Sequence, residues 1–155
     1  MKNYLKLVLF ILIPLAVGGL SGFFTAKNIP LWYSTLNKPS FNPPNYLFGP
    51  VWTTLYILMG ISFYLVYQAS RKDERKKVVF VFITQLVLNF FWSIIFFSWQ
   101  QPGFAAIEII AMWLSIAYMI YVYYPIHKTA SLLQVPYLLW VSFATVLNIS
   151  IFLLN

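Results

Sequence analysis

The stretch Lys38–Gly60, KPSFNPPNYLFGPVWTTLYILMG, places three prolines in its first seven residues, and no charge follows until Arg71. Pro39, Pro43 and Pro44 each fix φ and remove a backbone donor, so this half is a stiff loop, neither helix nor sheet. Pro50 falls where the first turn of a helix tolerates it. From there Trp52, Tyr56 and Tyr64 follow at spacings of four and eight, which stacks aromatic rings along one helical face. A rigid lid runs straight into an aromatic, uncharged helix.

The remainder of the chain sets that helix in a membrane. Of 155 residues, 61% are hydrophobic and 8% charged. An ordinary soluble domain carries roughly 25% charged residues, so a water-facing surface cannot be built from this composition. Apolar runs of about 20 residues match the roughly 30 Å hydrocarbon core of a bilayer. They fall at about 5–26, 46–69, 78–99, 104–124 and 135–154. The expected fold is an all-α membrane protein: one domain over 1–155, a five-transmembrane-helix bundle with the lipid bilayer as its partner. The first run shares a basic start and small residues with a secretory signal. Its length and Pro14 favour a retained helix. Gly18 and Gly22 form a GxxxG pair, which admits a close neighbour from this chain or from a second copy.

The formal charge of +7 invites a nucleic-acid partner, but five of the ten basic residues sit in one segment, SRKDERKK at 70–77. Between two apolar runs, that segment reads as a cytoplasmic loop, and no nucleic-acid partner is expected. Lys2, Lys6 and Lys128 join the same side, while Lys27 and Lys38 stand on the other. The positive-inside rule then puts the N-terminus in the cytoplasm and the lid and C-terminus outside.

Helical rise places Trp52, Asn89, Trp92 and Asn148 on the order of 10–15 Å below the lid face, and Glu108 within about 8 Å of it. Trp140 and Ala144 lie deeper. Glu108 is the one acid inside the apolar runs. Such an acid faces a wet cavity or the bundle, or else sits hydrated at a helix start, favoured by the dipole. Asn89 and Asn148 suit interhelical hydrogen bonds as well as ligand contacts. Trp32 and Tyr33 suit interfacial anchoring as well as a site under the lid. Trp52, Trp92 and Trp140 lie inside helices beside small or polar neighbours. They suit either core packing or stacking on a planar hydrophobic ligand. With one histidine, in a loop, and no cysteine, no metal cluster and no strong axial haem ligand can be built inside the bundle. No paired carboxylates, P-loop or dinucleotide glycine pattern is present. No metal site and no obligatory cofactor are expected.

The stretch LWYSTLNKPSFNPPNYLFGPVWTTLYILMG, with QLVLNFFWSIIFF and PYLLWVSFATVLN in the same order, resembles the TspO/MBR family. That family includes translocator proteins (peripheral-type benzodiazepine receptors) and bacterial tryptophan-rich sensory proteins. The resemblance implies a five-helix bundle, commonly a homodimer, in a bacterial plasma membrane. It implies a receptor or sensor whose pocket, closed by the first loop, takes protoporphyrin IX, haem or benzodiazepine-site compounds. Motif matching implies pocket positions at Trp32, Tyr33, Trp52, Asn89, Trp92, Trp140 and Ala144, with Phe104 and Glu108 as a looser carry-over. Light-dependent porphyrin breakdown, with Trp52 and Trp140 as redox-active neighbours, is one alternative. Porphyrin transport is another, although five helices show no inverted repeat. Two positions depart from the family pattern. Phe41 replaces the usual tryptophan of the KPSW stretch, and LNISIFLLN lacks the tyrosine and arginine of the cholesterol-associated motif. Specific cholesterol binding is not expected.

Overall fold

The computed structural model describes residues 2–155. Its first helix, α1 (Asn3–Thr25), leads to a short α2 (Asn28–Leu31), 3-10 turns at Tyr33–Thr35 and Asn45–Leu47, and then α3 (Phe48–Ala69). Helix α4 (Lys72–Ser93) continues as a π-helical turn, Ile94–Ser98, and α5 (Pro102–Tyr123) returns beside it. A short α6 (Lys128–Leu133) precedes α7 (Val135–Leu154). Five helical stretches are long and apolar enough to cross a membrane: Asn3–Thr25, Asn45–Ala69, Lys72–Ser98, Pro102–Tyr123 and Lys128–Leu154. The chain is an all-α integral membrane bundle.

One boundary corrects the sequence reading. The segment at 70–77, expected as a loop before a helix at 78, is mostly helix, because α4 begins at Lys72 and only Ser70 and Arg71 turn the chain. The Arg71 backbone N–H donates to Glu74 Oε2 at 2.8 Å, and the Arg71 guanidinium meets Asp73 at 3.2 Å. Asp73 and Glu74 both lie in the first turn, where the helix dipole favours negative charge. Lysine, arginine and glutamate are good helix formers, so the helix outlives the apolar run that marks the membrane.

Helix α1 packs chiefly on α3, and α5 lies between α4 and α7. The α1–α3 approach depends on Gly60. A Cβ there would stand 2.4 Å from Ile11 Cα, so only glycine lets the backbones come so near. Toward the basic end the bundle is solid. Phe63 and Phe82 stack with centroids 4.0 Å apart, and Met59, Val66, Val78, Ile116 and Met119 are fully buried around them. Phe10 of α1 closes this core at 4.7 Å from the Phe63 ring.

Candidate functional site: an aromatic cavity under the lid

The lid end is hollow. A cavity of about 210 Å³ lies between α1, α3, α4 and α7, roofed by the segment from Ile29 to Asn45. Tyr33, Trp52, Asn89, Trp92, Trp140 and Ala144 of the expected positions line it. The three tryptophans come from three helices, each with a small or polar neighbour that leaves room for a ring.

Polar groups at the cavity floor form one directed chain. Tyr56 Oη donates to Asn89 Oδ1 at 2.8 Å, and Asn89 Nδ2 donates to Tyr137 Oη at 2.9 Å. Tyr137 in turn points its hydroxyl at Met112 Sδ, 3.7 Å away. With its proton committed to Asn89, Tyr56 offers the cavity an acceptor oxygen. Trp92 Nε1 donates to Asn148 Oδ1 at 2.9 Å, while Asn148 Nδ2 donates to the Pro102 carbonyl at 2.8 Å. Asn89 and Asn148 therefore both tie helices together and border the cavity. Trp140 Nε1 is enclosed without a hydrogen-bond partner among the described residues, so one indole N–H remains to be satisfied.

The rings form two groups on the cavity wall, one around Trp52 and one around Trp140. Trp52 stacks on Tyr56 at 5.7 Å and lies 6.4 Å from Trp92 and 6.2 Å from Tyr137. Trp140 contacts Phe48 at 6.1 Å and Phe143 at 5.5 Å. Trp92 and, within the π-helical turn that follows Ser93, Phe96 and Phe97 all stand on the cavity wall. Asn89, Trp92, Ser93, Phe96 and Phe97 follow the i, i+3, i+4, i+7, i+8 spacing of one helical face, and the local widening of a π-helical turn recurs at functional sites. The α1 wall is made of Gly18, Ser21, Gly22 and Thr25. Gly18 of the GxxxG pair closes on the Tyr56 ring of this same chain, where an added Cβ would meet Cε2 at 2.2 Å.

The lid is pinned at several points. Tyr33 Oη donates to Asn42 Oδ1 at 2.7 Å, and burial pushes the Tyr33 phenol up to about 12, so it stays a donor. Lys38 Nζ lies 4.8 Å from the Tyr33 ring centroid. At the far edge the Asn37 N–H donates to Asn155 Oδ1 at 3.0 Å, and Asn155 Nδ2 donates to Asn37 O at 2.9 Å. This reciprocal amide pair latches the lid to the end of α7. Phe41, standing where a tryptophan is usual, packs edge-on against Phe143 at 6.2 Å.

Three expected positions stand outside the cavity wall. Trp32 packs on the back of Phe96 at 5.7 Å, and Phe104 is 67% exposed on the outer face of α5. Glu108 buries both carboxyl oxygens without a hydrogen-bond partner among the described residues, away from the cavity lining. Lining residues that the motif reading omitted include Phe48, Tyr56, Phe96, Phe97 and Phe143. Helical spacing could have added four of them, because Phe48 and Tyr56 lie one turn either side of Trp52, Phe96 one turn beyond Trp92 and Phe143 one turn beyond Trp140.

Five membrane-spanning helices, four of them lining an aromatic, lid-covered cavity, define the class: a five-helix membrane bundle. The chain belongs to the TspO/MBR family, whose profile matches residues 10–154. It is 47% identical to a tryptophan-rich protein TspO of Archaeoglobus fulgidus over 155 residues, covering 99% of each chain. It is 39% identical to the human translocator protein over 119 residues, 76% of this chain and 70% of that protein. It is also 34% identical to a tryptophan-rich sensory protein of Cereibacter sphaeroides, covering 80% and 77% of the two chains.

Proposed function

We propose that this protein is a membrane receptor or sensor that binds tetrapyrroles, metal-free protoporphyrin IX above haem, in the cavity beneath the lid. The observation that carries this reading is the convergence of Trp52, Trp92 and Trp140, from three helices, on one cavity. Indole faces stack on a flat macrocycle, and edge-to-face neighbours hold its rim. Trp140 Nε1 supplies a free donor and Tyr56 Oη a free acceptor, so orientation follows from two points of opposite polarity. Among the described residues no histidine, cysteine or methionine lines the cavity, so it offers haem iron no histidine or sulfur ligand. The two tyrosines there, Tyr33 and Tyr56, commit their phenol protons to Asn42 and Asn89.

Size adds a condition. Pockets for drug-sized ligands span about 300–1,000 Å³, more than the 210 Å³ enclosed here. A macrocycle therefore binds by widening the cavity, and α1 is the wall suited to move. It buries only Pro14, Ser21 and Thr25, and it presents small residues to the ligand.

Titration of the purified chain with protoporphyrin IX, followed by tryptophan quenching, tests the proposal. Saturable quenching by one equivalent is expected, with affinity reduced at least about tenfold in a Trp52→Ala, Trp140→Ala double variant. An unchanged affinity in that variant sinks the pocket assignment. The proposal extends to a homodimer with the basic end in the cytoplasm. Because the chain has no cysteine, a single Ser40→Cys or Lys76→Cys variant reports each end. An impermeant maleimide added to intact cells should label the first and spare the second.

The chain Trp52, Tyr56 and Trp92, with centroids within 6.4 Å, favours a second reading in which bound porphyrin is degraded in light. An indole beside an excited porphyrin can reduce it to a radical anion while its ring neighbours share the hole, and dissolved dioxygen, taking up that electron, is the oxidant for the breakdown. A new product formed only by the complex supports this reading. Bleaching identical to that of free porphyrin removes it.

A further inference from the structure

A second depression, of about 590 Å³, lies on the outside of the bundle at the lid end, between the last turn of α1 and the π-helical turn. Its apolar side is Phe24, Phe90 and Ile94, and its rim is Lys27, Asn28, Ser98 and Gln100. None of these residues lines the cavity under the lid. Two rim groups are already engaged: Ser98 Oγ donates to the Phe24 carbonyl at 3.2 Å, and Asn28 Nδ2 to the Phe97 carbonyl at 2.9 Å. These bonds stitch the end of α1 and the start of α2 to the π-helical turn and set the width of the groove.

The other two rim groups are free to meet a ligand. Lys27 and Gln100 are exposed, and no carboxylate reaches Lys27 within ion-pair distance among the described residues. Asp73 and Glu74 lie at the opposite end and Glu108 is buried in α5. Gln100 has φ of 55°. This left-handed conformation turns the chain in the short connection from the π-helical turn to α5.

We propose that this groove binds one anionic phospholipid. An acyl chain lies along Phe24, Phe90 and Ile94, and the headgroup phosphate meets the Lys27 ammonium and the Gln100 amide. The vertical order fits: the spans Asn3–Thr25 and Lys72–Ser98 end at this level, so apolar groups face hydrocarbon and polar groups face the headgroups. The uncompensated charge of Lys27 selects an anionic headgroup over a zwitterionic one, because a cation near the membrane surface attracts acidic lipid.

The test uses the full chain in neutral detergent with a phosphatidylglycerol that carries a diazirine in its acyl chain, and adducts are mapped by peptide mass spectrometry. Adducts are expected at Phe24 and across Phe90–Ile94, competed about fivefold better by phosphatidylglycerol than by phosphatidylcholine. Lys27→Glu should remove most of the yield there and Lys27→Gln part of it, while adducts at the basic end persist. Labelling spread evenly over every outward face, equal competition by the two lipids, or unchanged yield in both variants would overturn the assignment. If Lys27→Glu fails to fold, Lys27→Gln and the competition ratio decide the matter.

Discussion

Toward the basic end, Phe63 stacks flat on Phe82 at 4.0 Å and no room is left between α3 and α4. Toward the lid, Trp52 and Trp92, on the same two helices, stand 6.4 Å apart beside an open cavity. Both regions are aromatic, and the difference lies in what surrounds the rings. The filled half places flexible or branched side chains (Met59, Val66, Val78, Ile116, Met119) against its phenylalanines. The hollow half places Gly18, Gly22, Gly49 and Ala144 among its indoles, with polar chains that hold the helices at fixed separation. Large side chains make a core when their neighbours can flow into the gaps, and a pocket when the neighbours are too small or too tightly hydrogen-bonded to do so.

This contrast can be broken experimentally, and the filled half should give the largest effect. Phe82→Ala should cost about 3–5 kcal/mol in stability, the range for deleting a buried aromatic ring, read as a lower thermal midpoint in detergent. Porphyrin affinity measured well below that midpoint should hold. A parallel fall in affinity would falsify the independence of the two halves.

Next comes the seam that both halves share. Gly60→Val drives a side chain into Ile11 and should cost about 1–3 kcal/mol or more, the range for overpacking. The companion Gly19→Ala, at a position with open space around it, should be near neutral and serves as the control. At the floor of the hollow half, Asn89→Leu strands the hydroxyls of Tyr56 and Tyr137 and should cost about 1–3 kcal/mol. Unlike Phe82→Ala, it should also weaken porphyrin binding, because the floor loses its fixed acceptor. Equal behaviour of these two variants in binding would erase the distinction between floor and core.

The lid latch should be subtler. Asn155→Ala removes the reciprocal amide bonds to Asn37 and should cost about 1 kcal/mol or less of stability at this exposed site. Its clearer sign should be faster ligand release in stopped-flow displacement. The smallest effect should come from Glu108→Gln. The carboxyl does not border the cavity, so porphyrin affinity should stay within about 0.5 kcal/mol of the parent chain, as for sites that share no contacts. Stability should hold or rise, because an unpartnered buried acid is replaced by a neutral amide.

Much of this was legible in the chain itself. Trp52, Trp92 and Trp140 could be singled out because each lies within an apolar run beside small or polar neighbours, and the motif match supplied Tyr33, Asn89 and Ala144. The helical start of SRKDERKK was not legible, because hydropathy marks where the membrane ends and says nothing of where the backbone stops coiling. Phe96 and Phe97 were legible in principle, since with Asn89, Trp92 and Ser93 they fall at i, i+3, i+4, i+7 and i+8 of one helical face, whereas no residue pattern announced the π-helical turn. Trp32 and Tyr33 are adjacent in sequence, yet one rings the cavity and the other backs onto Phe96. A short 3-10 turn at Tyr33–Thr35 decides which is which.

What the sequence determined alone was the solvent and the elements: few charges, long apolar runs and clustered lysines compel membrane helices, whatever their arrangement. Stiff prolines ahead of Pro50 likewise compel a loop above α3. Only the tertiary structure decided that this loop closes a cavity, that Gly18 serves contact within the chain, and that Tyr56 presents an acceptor while Trp140 keeps a free donor. Those properties depend on which groups from distant helices meet, and hydrogen bonds 33 and 48 residues apart in sequence are set by packing rather than by local preference. The lid that opens the Lys38–Gly60 stretch is written in its prolines, whereas the hollow beneath it is the work of four helices at once.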